Sequence, residues 1–295
     1  MILLINKPKG MTSHDVVAKV RKIYNTRQVG HTGTLDPFAE GVMVLLVGRD
    51  VKASEYITAH RKTYRAVMKL GATTDTGDVT GNVTSKSDEI PSFDEILAVL
   101  PEFRGKIKQI PPMYSALKVN GVKLCDAARR GEVIEREARE IEIFGLEAER
   151  TDNNGEIILN IDCSSGTYVR TLCEDIGSRL GCGAFCLELC RTSVGDFRID
   201  ECVGVAALSE MTEEERKAYE RPVETVFADL RKIALNEFFS TLCKNGCEIY
   251  LKKIGADFRA ENELVLLYDF QNTFFGIGKI SLYPDGPAVK AVKRL

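Results

Sequence analysis

The sequence predicts an α+β fold, and three observations carry that expectation. Strand-like alternation dominates the 295 residues, the helical patterns fall irregularly between strands, and no internal repeat or low-complexity tract is present. A doubly wound parallel sheet would instead alternate strand and helix regularly. Ile2 to Ile5 reads as the first strand. Thr12 or Ser13 can cap a helix in which Val16, Val17, Val20, Ile23 and Tyr24 make an apolar stripe. Val42 to Val47 is a buried strand, and Lys62 to Leu70 places Tyr64, Ala66, Met68 and Leu70 on one face. Ser92 and Glu95 have the spacing of a capping box ahead of a helix carrying Ile96, Leu97 and Leu100. Ile141 to Ala148 and Ile157 to Cys163 are two strands joined through Asp152-Asn153-Asn154-Gly155, a hairpin turn.

With 44% hydrophobic residues, the chain can bury a substantial core, divided between one large and one small domain. No run of about 18 apolar residues occurs, so no membrane span is expected. Met1 to Asn6 is too short for a signal peptide core and lacks a charged lead. The expected location is the cytoplasm. Nine cysteines, an odd number without a repeating framework, fit reduced thiols. Cys182, Cys186 and Cys190 recur every fourth residue, but no Cys-x-x-Cys pair exists. Their alternation with Phe185, Leu187 and Leu189 reads as a strand with cysteines on one face, and no metal site is expected.

The net charge of −3 hides two basic segments. Residues 1–31 carry six Lys or Arg against Asp15 alone, and residues 102–131 carry seven against Glu102 and Asp126. Affinity for a polyanion depends on the face presented rather than on the total, although such runs are also ordinary solvated surface.

One octet stands out, Gly30-His31-Thr32-Gly33-Thr34-Leu35-Asp36-Pro37. Its glycines can adopt backbone angles denied to other residues, and Pro37 pushes Asp36 toward extended geometry. Asp36 then reads in two ways, as a nucleophile in a glycine-rich turn or as a turn residue bonding its own backbone.

The octet is one of seven segments in order. The others are Lys7-Pro8-Lys9-Gly10, Lys62-Thr63-Tyr64-Arg65, Thr74 to Asp78, Ile110 to Lys118, Gly166 to Leu172 and Leu180 to Ala184. Together they resemble the bacterial tRNA pseudouridine-55 synthases, the TruB family. The resemblance implies a pseudouridine-synthase fold with a central mixed, largely antiparallel sheet. It implies a catalytic domain over residues 1–222, an inserted RNA-binding thumb at about 85–138, and a PUA-like C-terminal RNA-binding domain over 223–295. It also implies isomerisation of uridine 55 in the T stem-loop of tRNA, by a monomer that needs no cofactor and no guide RNA.

By the same resemblance Asp36 is the nucleophile, Arg170 the guanidinium that keeps it ionised, and Tyr64 the aromatic face that receives the flipped base. Tyr168 and Leu189 become pocket walls. His31 becomes an RNA contact rather than a proton carrier, and Lys7 and Pro8 support the pocket floor. Asp78 is a second carboxylate, read as an RNA or ordering contact. In the thumb, Lys118, Lys123, Arg129 and Arg130 become RNA contacts. One departure is Ser165, where several relatives carry a basic residue. A second reading is a protein that mainly binds and refolds tRNA, with isomerisation secondary. Retention of Asp36, Tyr64 and Arg170 together favours catalysis, because refolding needs no ionised buried carboxylate. Uracil C5 methylation through a cysteine finds no glycine-rich cofactor loop in this chain.

Overall fold

The computed structural model describes residues 1–295. Its largest element is an eleven-stranded mixed sheet. The main path runs Val203–Gly204, Ile2–Lys7, Glu40–Val47, Ala184–Val194, Lys62–Leu70, Glu156–Cys163, Arg139–Arg150 and Gly105–Gln109. Two of these pairings are parallel, Ile2–Lys7 with Val203–Gly204 and Glu40–Val47 with Ala184–Val194. The other pairings are antiparallel, which makes the α+β sheet mixed in the expected sense.

Period-two patterning decides which side chains meet. Tyr64, Ala66, Met68 and Leu70 share one core with Ile96, Leu100 and the Val169–Arg179 helix residues Val169, Leu172, Cys173 and Ile176. The Phe93–Val99 helix starts at the Ser92–Glu95 capping box, but Leu97 points outward and is 41% exposed. The expectation for the cysteine strand also fails at one residue. A bulge puts Cys186 opposite Met68 and Glu188 opposite Val67, leaving Leu187 as the extra residue. That shift brings Leu189 into the same core as Cys186 and turns Cys190 to the other face, beside Glu40 and Arg65.

On the other side of the first strands, the Ser13–Ile23 helix buries Val16, Val17 and Val20 against Leu3, Ile5 and Met43. Thr12 and Asp15 cap it reciprocally. Residues 231–294 form a second sheet of five strands with its own core, which includes Ile233, Val265 and Val289. Its Leu266, Tyr268 and Ile277 pack against Ile2, Leu4 and Val44 of the large sheet. No helix is long and apolar enough to cross a membrane.

The segment after residue 85 is not free of the sheet, since Gly105–Gln109 forms its edge strand against Arg139–Arg150. Beyond it a hairpin, Lys118–Val119 with Val122–Lys123, turns at Asn120 (φ 51°) and Gly121 (φ 83°), angles suited to a type I′ turn. The Leu124–Arg129 helix follows.

Candidate active site

The Val29–His31 strand pairs with Glu40–Val47, so most of the octet is the connection of an antiparallel hairpin. Leu35, Phe38 and Ala39 of this loop enter the core beside Tyr64. Asp36 accepts the Ala39 N–H on its carbonyl at 3.1 Å and so opens a turn, while its carboxylate leaves the backbone for Arg170. The turn-residue reading of that side chain therefore falls away.

Five successive carbonyls of the loop, Gly33 to Pro37, have partners, as do the N–H groups of Thr32 and Leu35. Thr32 N–H donates to Val44 O at 3.2 Å, and Arg191 donates to Gly33 O at 3.0 Å and Thr34 O at 3.4 Å. The Ser13 hydroxyl accepts from Leu35 N–H at 2.8 Å and donates to Leu35 O at 3.0 Å. Pro37 O accepts from Gly10 N–H at 2.7 Å and from Lys7 Nζ at 3.5 Å. A loop tied at so many successive positions fixes its one carboxylate before any ligand arrives.

Arg170 closes on that carboxylate from the first turn of its helix. Its Nε lies 2.9 Å from Asp36 Oδ2 and its Nη2 donates to Oδ1 at 3.3 Å, a bidentate pair. Behind it, Nη1 donates to Thr76 O at 2.8 Å and lies 3.3 Å from Asp78 Oδ2, while Nη2 donates to Tyr114 O at 2.8 Å. The guanidinium side chain is 3% exposed, whereas Asp36 keeps 33% of its side chain open. Asp78 is itself held, its Oδ1 accepting from Thr80 N–H and Thr76 Oγ1 at 2.9 Å and from Thr80 Oγ1 at 2.5 Å.

Asp36, Tyr64, Tyr168, Arg170 and Leu189 line one cavity of about 310 Å³, with Lys62, Ser115 and Arg191. The other expected contacts lie outside it. Asp78 stands behind Arg170 and does not line the cavity. Lys7 is fully buried, its ammonium donating to Pro8 O at 3.0 Å and Met11 O at 2.7 Å, so it supports the turn from beneath. Pro8 is exposed near the surface. His31 is half-buried, edge-on to His14 at 6.0 Å, outside the cavity wall. Lys118, Lys123, Arg129 and Arg130 are all exposed on the hairpin and helix beyond the edge strand. Arg129 faces Asp126 at 3.5 Å, and Arg130 faces Glu132 at 2.8 Å.

The octet glycines behave differently from expectation, since neither Gly30 nor Gly33 adopts a positive φ. Gly41 does, at φ +112°, and a Cβ there would stand 2.2 Å from the Arg191 carbonyl oxygen across the parallel pairing.

The electrostatics also depart from the simple expectation of a lowered carboxyl pKa. Burial raises the Asp36 value, Arg170 pulls it down, Asp78 adds to the rise, and the balance is upward. Burial drives Lys7 and Lys62 down from 10.5 to about 8. It also lowers His31 and raises the phenols of Tyr64 and Tyr168.

Four residues escaped the sequence reading. Ser13 was visible only as a cap. Gln109 clasps the helix start, donating to Tyr168 O at 3.0 Å and accepting from Tyr168 N–H at 2.8 Å. Arg191 and Lys62 are charged residues at buried strand positions, an informative departure from the apolar pattern, but nothing in their spacing names a partner.

Residues 21–169 match the N-terminal domain of the TruB family pseudouridylate synthases, and residues 170–234 match the tRNA pseudouridylate synthase B C-terminal domain. A tRNA pseudouridine synthase B of Clostridium perfringens is 40% identical over 279 residues, covering 94% of each chain. One from Bacillus pumilus is 42% identical over 274 residues, covering 90% of this chain and 88% of that one. Among solved structures, a chain of a Cbf5-Nop10-Gar1 complex is 25% identical with a TM-score of 0.73, covering 99% of this chain and 84% of that one. A chain of an archaeal box H/ACA sRNP Nop10-Cbf5 complex is 24% identical with a TM-score of 0.71, covering 99% and 85%. With both family domains in order along a sheet that carries the Asp36 loop, the chain belongs to the TruB family of pseudouridylate synthases.

Proposed function

We propose that this isomerase converts uridine 55 in the T loop of tRNA to pseudouridine, with Asp36 as nucleophile and the target base turned out of its stack. The observation that carries the reading is Asp36 itself, gripped by Arg170 on one side and open to the cavity on the other. Isomerisation keeps every atom of the nucleoside. The bond from N1 to the sugar breaks, the ring turns, and a bond from C5 to the sugar forms. An ionised carboxylate meets the electron demand this creates, and Arg170 holds it in a single orientation. Tyr64 and Leu189 offer the apolar faces between which a detached ring can turn, and Tyr168 closes the wall beside Arg170.

The division of labour follows. Residues 1–222 are the catalytic unit, the 85–138 insert grips RNA, and residues 223–295 form a PUA-like second RNA-binding unit. The insert is tied to the chemistry by the Gln109 amide on Tyr168 and by the Tyr114 carbonyl on Arg170. Its Lys118 and Lys123 stand directly opposite each other, a like-charge pairing that a phosphate backbone relieves. Arg129 and Arg130 extend that surface, and His31 contacts the same RNA. The relatives named above as tRNA pseudouridine synthases support tRNA as substrate. The chain acts as a monomer in the cytoplasm without a guide RNA, because the insert supplies its own RNA contacts.

The test uses an unmodified tRNA transcript carrying tritium at uracil C5. The expected result is release of one equivalent of label, lost when uridine 55 is replaced by cytidine. Undiminished release from the replaced transcript contradicts the assignment to position 55, and no release from either contradicts the activity.

A further inference from the structure

Two cations sit in the catalytic cavity with no acid to answer them. Arg191 is 2% exposed and Lys62 is 6% exposed, and neither has a carboxylate oxygen within ion-pair distance. Arg191 donates to the carbonyls of Val42, Gly33 and Thr34 and lies against the Tyr64 phenol, and Lys62 donates to the carbonyls of Thr58 and His60. Both converge on one place, because a Cβ built on Gly33 would stand 3.4 Å from Arg191 Nη1 and 3.6 Å from Lys62 Cε. Buried charges are ordinarily paired, so two adjacent unpaired cations indicate an anion supplied by the ligand.

The position of Tyr64 identifies which anion. Lys62 and Tyr64 project from the same face of one strand, and Arg191 lies directly across from Tyr64 on the next. The bulge at Leu187 aims both Leu189 and Arg191 at this face. The cations therefore flank the wall against which a pyrimidine lies. A backbone phosphate would instead call for cations at an exposed rim, as on the Lys118 hairpin.

We propose that Lys62 and Arg191 form a catalytic anion site that takes the negative charge of the detached uracil ring. This rests on the synthase reading above. As the bond from N1 to the sugar breaks, both its electrons stay on the ring, giving a uracil anion with charge spread over N1, O2 and O4. The sugar carbon is compensated by Asp36. The ring then attacks through C5, the C5 proton leaves to a base, and N1 takes up a proton, so the product is an isomer with nothing added or lost. Cations already fixed by backbone carbonyls favour the charged state without reorganising when it forms.

The test measures single-turnover rate at saturating tRNA, together with Kd and its salt dependence, for wild type, Lys62→Met and Lys62→Arg. A second transcript carries 5-fluorouridine at the target, whose ring is a better leaving anion, with loss of the intact nucleoside as readout. For Lys62→Met the expected loss is about a hundredfold in rate on uridine, with Kd and salt slope unchanged. Lys62→Arg retains most of the rate, and the defect of Lys62→Met shrinks on 5-fluorouridine. Weakened Kd with a shallower salt slope and an unchanged saturated rate would identify a phosphate contact and overturn the proposal. An equal defect on both rings, or in both variants, would identify a purely structural lysine and overturn it as well. If wild type turns over neither transcript, the synthase reading fails first.

Discussion

Ser13 answers both backbone groups of Leu35, one residue before the carboxylate proposed as nucleophile. Replacing it with alanine leaves a buried N–H and C=O unpaired, a cost of about 1–3 kcal/mol. Urea unfolding of Ser13→Ala checks that loss, and single-turnover kinetics should fall with tRNA affinity retained, because only the Asp36 loop loosens. Asp78 acts at one remove, through Arg170 and through its own charge. Since Asp78 helps raise the Asp36 pKa, the neutral form of Asp36 persists to higher pH than an ordinary aspartate allows. Asp78→Asn removes that repulsion and leaves Arg170 to Asp36 alone. The acid limb of the pH–rate profile should therefore move to lower pH, even as the less firmly held Arg170 reduces the plateau. A limb that moves to higher pH, or stays in place, contradicts this assignment of charges.

Among the elements, the hairpin carrying Asp36 depends on how closely two strands approach. Gly41 has no room for a side chain, because the Arg191 carbonyl occupies the place of its Cβ, and both are backbone. Gly48 also has positive φ, at +74°, but a Cβ there meets nothing within 4 Å. Gly41→Ala should cost more than about 3 kcal/mol and disturb the cavity, while Gly48→Ala should cost only the smaller conformational strain. Thermal unfolding of the two variants side by side checks the difference. The strands at the base of this hairpin were legible as short continuous apolar runs, Ile2 to Ile5 and Val42 to Val47, and the Thr12 and Ser92 helix starts from their caps. The bulge at Leu187 was not, because one inserted residue leaves local composition unchanged while reversing the side chains that follow as far as Arg191, after which a second shift restores the facing. Alternation alone therefore put Leu189 on the wrong face and gave no reason to look at Arg191. Asp36, Tyr64 and Arg170 were legible as a group only through family resemblance. The carbonyls that hold Arg191 come from Val42, Gly33 and Thr34, far away in sequence, and those that hold Lys62 from the turn just before it, and neither set leaves a mark in any motif.

For the molecule as a whole, buried ionisable groups set the dependence of stability on pH. Lys7 and Lys62 release their protons at about 8 in the fold, against 10.5 for the ordinary side chain. Between those values the unfolded chain binds more protons, so stability rises with pH. Buried thiols act oppositely, Cys163 being pushed up to about 11 and Cys202 to about 12 from 9.0. Above 9.0 the unfolded chain loses those protons first, and stability falls. Tm in reducing buffer should therefore peak near about pH 9, and a steady decline from pH 8 upward would contradict this balance. The two sheets share a core at Ile2, Leu4, Leu266 and Ile277, so unfolding should be followed on the whole chain rather than on either part. The most direct test of the whole reading is single-turnover isomerisation of unmodified tRNA by Asp36→Ala beside wild type, with Kd measured in parallel. The account predicts that the variant binds tRNA as tightly as wild type and forms no pseudouridine. Pseudouridine formed by the variant at a rate near that of wild type would contradict it.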